Sequence, residues 1–561
     1  MGLLSYEINN SSYAYFTSSV KGNETIKMTY TKPSLDKSGA NGPELSSNMI
    51  PVYYDETNKA WKKADSKNSK EEYKWYDYDN KMWANAVTVT SANRSKYLSA
   101  SVGTEIPISD INTMWVWIPR YTYTYLNTNR PQEIDITFEK GTSSSGTISC
   151  SDTATGTSST SETCTDSTNG SVTVGTSTYT HPAFWWDKND NNIREAGEEL
   201  TGIWVGKFEV SSDTTCSVSS LVAVGSGCNL QTIRPKIIPN ATSWRGAMVG
   251  TFYNDIYNMR ESGNQYGFST SDETHMMKNM EWGAVTYLYH SKYGRCTNGT
   301  CEEVTINNCS NFITGIGADS VSASSSSTTC TTDTNKYNGE KGVLASTTGN
   351  VYGIYDMSGG AHEYMMGDLV SSTGVMMSGY QATNNVHSGF TGYLYSGGQT
   401  TLTYDFPNKR YYDKYSYGTS ETEYTRGKLG DATKEISPYR TYGWYSDCAF
   451  FPDSSYSWFV RGGSFNFGSG AGLFYFNRSG GFADAYNSAR AVVFGALDWQ
   501  KRNSLNIYNV NLCKLSTKLF TYFNISDILE LPDVTWCKNR TNNDKGVKML
   551  FCVEYLLNQG S

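Results

Sequence analysis

Twelve cysteines and five histidines are among the residues of this chain able to form disulfides, hold metals or attack a substrate. Eight cysteines fall into four sequence-local pairs: Cys150 with Cys164, Cys216 with Cys228, Cys296 with Cys301, and Cys309 with Cys330. Each pair sits in a polar stretch and none has the tight Cys-x-x-Cys doublet of a zinc site, so four loop-stapling disulfides are expected, and with them an oxidising compartment. Cys448 stands alone in the body of the chain, and Cys513, Cys537 and Cys552 lie near its end. These four read as buried thiols. His181, His275, His290, His362 and His387 are scattered, without metal-pair or Ser/His/Asp spacing, and read as ordinary hydrogen-bonded side chains.

One acidic run has metal-ligand spacing. Between Asp187 and Glu198, the side chains of Asp187, Asn189, Asn191, Glu195 and Glu198 take the oxygen-ligand positions of an EF-hand-like calcium loop. Asn192 occupies the sharp-turn position usually held by Gly, a conformation Asn tolerates better than most residues. Calcium is the one cofactor this suggests, and a plain solvated acidic loop is the other reading. Phe184-Trp185-Trp186 ahead of it reads as a strand.

The elements that must carry these residues are rich in aromatic side chains: 42 Tyr, 21 Phe and 14 Trp in 561 residues, so rings must supply much of the core and of any contact surface. Strand-like runs include Met114-Trp115-Val116-Trp117-Ile118-Pro119 and Gly202-Ile203-Trp204-Val205-Gly206-Lys207-Phe208. Two helices are expected. The first is capped by Ser243, with Trp244, Ala247, Met248, Phe252, Ile256 and Met259 on one face; the second follows Ser271 and Glu273, with Met277, Met280, Ala284 and Leu288 repeating at three and four. Short strands with two helices predict an α+β chain. Residues 141–180, of which 24 are Ser or Thr, and the similar 322–334 stretch cannot bury enough apolar area to fold alone and read as surface insertions.

Residues 1–48 read as an extended segment or linker containing a strand around Thr25–Tyr30, 49–497 as the main domain, and 498–561 as an extension of different composition, richer in Lys and Arg, with no assignable role. A net charge of -8 without a basic run argues against nucleic acid as a partner. No apolar stretch is long enough to span a membrane, and no basic-then-apolar leader is visible at the start. With the cysteine pattern, this suggests display outside a bacterial cell or on a phage particle.

The segment Asn350-Val351-Tyr352-Gly353-Ile354-Tyr355-Asp356-Met357-Ser358-Gly359-Gly360-Ala361-His362-Glu363-Tyr364 resembles the Tyr-Gly-Leu-Tyr-Asp-Met-Ser-Gly-Asn-Val-Trp-Glu-Trp signature of the formylglycine-generating enzyme (sulfatase-modifying factor) family. Val460-Arg461-Gly462-Gly463-Ser464-Phe465 is similar to that family's Arg-Gly-Gly-Ser-Trp, and Ser488-Ala489-Arg490 to its closing Ala-Arg. The resemblance implies a C-type-lectin-like fold over 49–497. It does not extend to the chemistry: Phe467 and Gly472 stand where the family carries its cysteine pair, so neither a soft copper ligand nor a nucleophile is expected, and no enzyme activity. The family's calcium site would carry over only through Glu363 and backbone carbonyls, Gly360 standing in place of Asn.

Gly462-Gly463-Ser464, Ala471-Gly472-Leu473-Phe474 and Ser488-Ala489-Arg490 also resemble the variable repeat of the C-type-lectin-like proteins of diversity-generating retroelements, in which adenines, chiefly of Asn codons, are altered. Phe465, Phe467, Gly470, Ser479, Gly480, Phe482, Asp484, Ala485 and Tyr486 are all residue types reachable from an Asn codon in that way. In those proteins the repeat lies at or near the C-terminus, whereas here 64 residues follow Leu497. Independently, 17 of the 23 residues from Phe465 to Asn487 are Gly, Ser, Asn, Phe or Tyr, the palette of an antibody paratope. The expected contact face is therefore Phe465, Phe467, Ser469, Gly470, Tyr475, Ser479, Gly480, Phe482, Asp484, Ala485 and Tyr486, held by Trp115, Trp117, Trp204, Trp282 and the 461–464 turn. For Leu473, Phe474 and Phe476 a core strand is the expectation. The function implied is non-catalytic recognition of a protein or glycan on a cell or phage-host surface. An oxidase relative with altered chemistry and a structural bacterial surface protein are the alternatives.

Overall fold

The computed structural model describes residues 34–124, 130–147, 178–188, 197–213, 228, 232–326, 330–370, 407, 409–416, 428–437, 441–453 and 456–494, together with four short strands outside these ranges. The chain divides into two units, Met1–Ala496 and Leu497–Ser561. Of the second, what is described is an antiparallel pairing of Trp536–Cys537 with Leu550–Phe551. In the first, Ala14–Thr17 pairs with Lys27–Tyr30. The described residues between 34 and 494 are sheet-rich with few helices.

The first large sheet runs, edge to edge, His275–Met276, Ala491–Val493, Gly202–Gly206, Ile111–Pro119, Asn85–Val89, Ile50–Asp55 and Ala60–Lys63, all antiparallel. Its central strands, Ile111–Pro119 and Gly202–Gly206, coincide with the two aromatic runs of the sequence and are buried along their whole length. A strand buried on both faces needs a cover on each side. Residues 41–44 supply part of one: the indole N–H of Trp117 donates to Asn41 O (3.1 Å) and that of Trp204 to Glu44 O (2.6 Å).

The second sheet runs Asp413–Ser416, His362–Val370, Trp458–Gly462, Gly472–Ser479, Cys448–Ala449 and Thr441–Tyr442, with Asn487–Ala489 pairing parallel to the start of His362–Val370. Its middle is antiparallel and its flanks are partly parallel. Leu473, Phe474 and Phe476 are 2%, 1% and 0% exposed, as a core strand requires.

Both expected helices exist but begin later than the local pattern indicates. The first is Val249–Tyr257; Ser243 instead donates its N–H to Phe312 O, and Gly246, at φ +74, keeps the chain out of helical conformation. The second is Asn279–Tyr289, capped by Lys278 with the Glu281 carboxylate accepting the Lys278 N–H at 2.8 Å, while Ser271 lies in a turn ahead of the His275–Met276 strand. Phe184-Trp185-Trp186 is not a strand: Pro182–Phe184 forms a 3-10 turn initiated by the proline, and Trp185 makes a single bridge to Glu199. Of the expected disulfides, Cys296–Cys301 and Cys309–Cys330 are formed; Cys150, Cys164 and Cys216 lie outside the described residues.

Two close approaches fix the layers. Lys207, fully buried, donates to Asn85 Oδ1 (2.8 Å), Val351 O (2.6 Å) and Gly353 O (2.8 Å), tying the 350–364 segment to the first sheet. Gly283 faces Gly430 so closely that an added Cβ would stand 1.8 Å from the Gly430 oxygen. Gly283→Ala is therefore expected to lower stability by about 1–3 kcal/mol, or more if the 428–437 segment is expelled, measured by chemical unfolding; unchanged stability would mean that the contact is not formed.

Candidate functional site

The three motifs quoted from the sequence meet in space. Glu363 lies opposite Arg461 on one side and Ser488 on the other, and Tyr364 lies opposite Val460 and Ala489. Gly359 donates its N–H to Gly462 O (3.1 Å) and Phe465 donates to Gly360 O (2.9 Å). Gly359, Gly360, Gly462 and Gly463 all have φ between +70° and +80°, and a Cβ at 463 would lie 2.7 Å from that of Ala471, so the two turns interlock only as glycines.

Arg490 is the junction between the sheets. The chain leaves the second sheet at Ala489 and enters the first at Ala491, with the Arg490 side chain turned inward. Its Nε and Nη2 donate to the two oxygens of the Glu363 carboxylate (2.8 and 2.5 Å), Nη1 to Gly206 O (2.7 Å) and Nη2 to Tyr355 O (2.9 Å). Such a two-pronged pair is among the strongest polar contacts available to a protein interior. Glu209 and Asp356 are buried beside it. Asp356 accepts from Asn307 Nδ2 (2.9 Å) and Gly315 N (2.8 Å), while Glu209 accepts from Ala361 N (3.2 Å) through one oxygen and leaves the other without a protein partner. Burial pushes Asp356 up to about 6 and Glu363 up to about 7 despite Arg490; it pushes Glu209 well above its ordinary value, with the charges of Asp356 and Glu363 adding to the effect.

Above this base lies the 465–486 segment. Phe465 is half-buried and stacks on Tyr486 (centroids 6.2 Å apart, planes 12°), with Phe312 edge-on to both at 4.8 and 6.0 Å. The Arg245 guanidinium lies 3.7 Å from the Phe312 centroid and donates to Ala485 O (2.5 Å). Phe467 meets His362 (5.1 Å) and Tyr475 (5.5 Å) edge-on, and those two rings are stacked at 5.4 Å. Backbone bonds knit the groups together: His362 N donates to Tyr486 O (2.8 Å), and Tyr486 N to Asp484 Oδ1 (2.6 Å). The result is two ring groups, Phe465 and Tyr486 over Phe312 and Phe467 over His362 and Tyr475, with Ser469 exposed and Gly470, Phe482 and Asp484 half-buried.

The other four expected contact residues face inward. Tyr475 is covered by His362 and Phe467; Ser479 is hydrogen-bonded with the Tyr364 hydroxyl (2.9 Å); Gly480 is shielded by the Phe482 ring; and Ala485 is 2% exposed next to Arg245. Composition identifies the palette of this segment, while orientation depends also on remote partners: His362 for Tyr475, Tyr364 for Ser479 and Arg245 for Ala485. The expected supports, Trp115, Trp117, Trp204, Trp282 and Arg461, are all at most 1% exposed. His362, Phe312 and Arg245, which sequence reasoning does not connect with this face, complete it. The palette offers no signal for them.

Three of the four described histidines are hydrogen-bonded: His181 to Gly430 O, His275 to Glu281, and His290 to Gln132 O and Tyr445. His362 is different. Its Nδ1 has no partner, and burial pushes it down to about 4, so the ring is neutral at pH 7. His290, Cys296 and Cys301 converge as metal ligands would, but both sulfurs are spent in the disulfide. The Cys448 thiol is half-exposed and pushed up, first by burial and then by Asp447, which leaves it protonated and weakly nucleophilic. Of the acidic loop, Asp187 and Glu198 are described and buried, and Glu198 accepts from Lys188 N (3.1 Å) and the Trp185 indole (3.4 Å); Asn189, Asn191 and Glu195 lie outside the described residues. No family model and no curated protein sequence matches the chain.

The buried carboxylates make stability depend on pH in a defined direction. A carboxyl raised in the folded state binds protons that the unfolded chain has released, so its contribution is complete below about 4.5 and is lost as pH rises through the folded value. Wild-type stability is expected to fall between about pH 5 and about pH 7 as Asp356 and Glu363 ionise. Glu209→Gln keeps an acceptor and removes the proton linkage, so its stability should gain on wild type by up to roughly 1 kcal/mol per pH unit over that range. Parallel curves for the two proteins from pH 5 to pH 8 would show instead that Glu209 is ionised in the folded state.

Proposed function

We propose that this chain is a non-catalytic recognition protein that presents a diversifiable contact face on a C-type-lectin-like scaffold, of the kind carried by diversity-generating retroelements, outside a bacterial cell or on a phage particle. The observation carrying this reading is the placement of exposed rings. In a chain that buries Trp after Trp, four large aromatics stand out as exposed among the described residues: Phe467 and Tyr486 within the 465–486 segment, and Tyr442 and Tyr456 ahead of it in sequence. Aromatic side chains on a fixed backbone offer contact area at low entropic cost. The ligand is a protein or glycan on a cell surface.

Two features support recognition over oxidase chemistry. A Cβ at Gly472 would fall 2.1 Å from Asp447 Oδ2, so the position holds no side chain at all, let alone a thiol. Asp447 is itself fixed, accepting from Phe474 N at 2.9 Å. The thiol nearest the segment among the described residues, Cys448, is protonated at neutral pH. Calcium at the 187–198 loop belongs to the same proposal, with Asp187, Asn189, Asn191, Glu195 and Glu198 as ligands. Its expected sign is a higher melting temperature in calcium than in chelator, abolished by Asp187→Asn with Glu195→Gln; indifference to chelation would remove it.

Replacing Phe465, Phe467, Phe482 and Tyr486 together by Ala should change the melting temperature little, because their rings are exposed or half-exposed, while deleting contact with the ligand. A fall approaching that of a core truncation, about 3–5 kcal/mol per ring, would reassign them to the interior. Sequencing codons 462–490 in independent isolates should find changes at adenine-derived positions such as 465, 467, 482 and 486, with 462–464 and 488–490 constant. Changes scattered evenly along the domain would overturn the diversification.

A further inference from the structure

A groove of about 840 Å³ lies along the first sheet between the Ile50–Asp55 strand, the 71–74 turn and the 102–104 turn, and it shares no residue with the aromatic face. We propose that it is a second binding site, one that takes cationic side chains, lysine or arginine of an extended peptide, between tyrosine rings and carboxylates that outnumber the lysines beside them.

Its walls are rings held in place by the fold. Tyr53 and Tyr73 stand edge to face at 6.3 Å, and both are partly open to solvent. Gly103, at φ +84, lets the Tyr73 ring lie against the turn, where a Cβ would come within 2.9 Å of it. Tyr352 is fixed from both directions, donating to Tyr54 O and accepting from Tyr54 N, each at 3.2 Å. Trp61 backs this wall, edge-on to Tyr54 at 5.2 Å and to Tyr352 at 6.1 Å. Rings fixed before the ligand arrives and partly open to solvent, as Tyr53, Tyr73 and Tyr352 are, suit an ammonium or guanidinium group.

The charges point the same way. Asp55, Glu56, Glu71 and Glu72 line the groove against two lysines. Both lysines are already engaged: Lys62 with Asp55 at 2.6 Å, and Lys74 with Glu71 at 2.6 Å and Asp77 at 3.2 Å. Glu56 has an outward pair with Lys59, in which the side chains are 63% and 60% exposed and so weakly held. Glu72 has no cation among the described residues; it is hydrogen-bonded with the Tyr73 hydroxyl, and its charge also reaches Tyr53. The groove thus combines an excess of negative charge with ring faces, which repels phosphates and acidic peptides and attracts bases.

The test uses the full chain and a fluorescent acetyl-Gly-Lys-Gly-Lys-Gly amide, read by anisotropy. Saturable binding is expected, weakened at least about tenfold by Glu72→Gln or Tyr73→Ala and by raising salt from about 0.05 M to about 0.5 M. Tyr73→Phe, which keeps the ring, should retain most of it, and Phe467→Ala with Tyr486→Ala should leave it unchanged. These last two substitutions separate this site from the proposed recognition face. Equal binding of the peptide with norleucine in place of lysine, equal binding by Glu72→Gln with an unshifted melting temperature, or no binding at millimolar peptide would overturn the proposal. So would capture of a neutral oligosaccharide in preference to the lysine peptide.

Discussion

The pairing of Arg490 with Glu363 is the contact on which the arrangement of residues 34–494 depends. One guanidinium takes both oxygens of a carboxylate on the second sheet, a carbonyl at the end of a first-sheet strand and a carbonyl of the 350–364 segment. Removing Glu363 would leave the Arg490 guanidinium without its ion partner in a dry interior, a loss of about 3–5 kcal/mol. Two further carboxylates, Glu209 and Asp356, crowd the same place, so local charge opposes what local geometry requires. Protonation resolves that conflict: where pKa values are raised, a carboxyl can be buried without being an ion.

This junction explains how an irregular segment can be well placed. Residues 465–486 leave the interlocked glycine turns at one end and return through the Asn487–Ala489 strand to Arg490 at the other. Between these anchors the Gly472–Ser479 strand passes through the core, so the rings that reach the surface lie on short connections fastened on both sides. Phe465, Phe467 and Tyr486 rest on Phe312, His362 and Tyr475 without themselves filling the interior.

Much of the scaffold is legible in the sequence because it rests on short-range signals. The runs around Trp115–Trp117 and Trp204 are apolar and aromatic enough to be central strands, and polar Cys-bearing stretches point to the Cys296–Cys301 and Cys309–Cys330 bridges. Helix starts are harder to place because Ser243 and Ser271 are good caps in isolation but are drawn into other contacts, while Lys278 takes the cap by virtue of Glu281. The apolar character of Leu473, Phe474 and Phe476 marks them as core, yet Tyr475 is buried too, because His362 and Phe467 cover the face of the strand from which it projects. The carboxylate cluster is only partly visible in the sequence: Asp356 and Glu363 share the 350–364 motif, but Glu209 and Arg490 are more than a hundred residues from it and only the folded chain brings all four together.

The space behind Gly472 has an evolutionary corollary. Because the Asp447 carboxylate occupies the volume that any β-carbon there would need, a thiol cannot arise at that codon by a single tolerated substitution. The aspartate would have to shrink first, abandoning its bond to the Phe474 amide. Any side chain at this position therefore requires two changes, its own and the aspartate's.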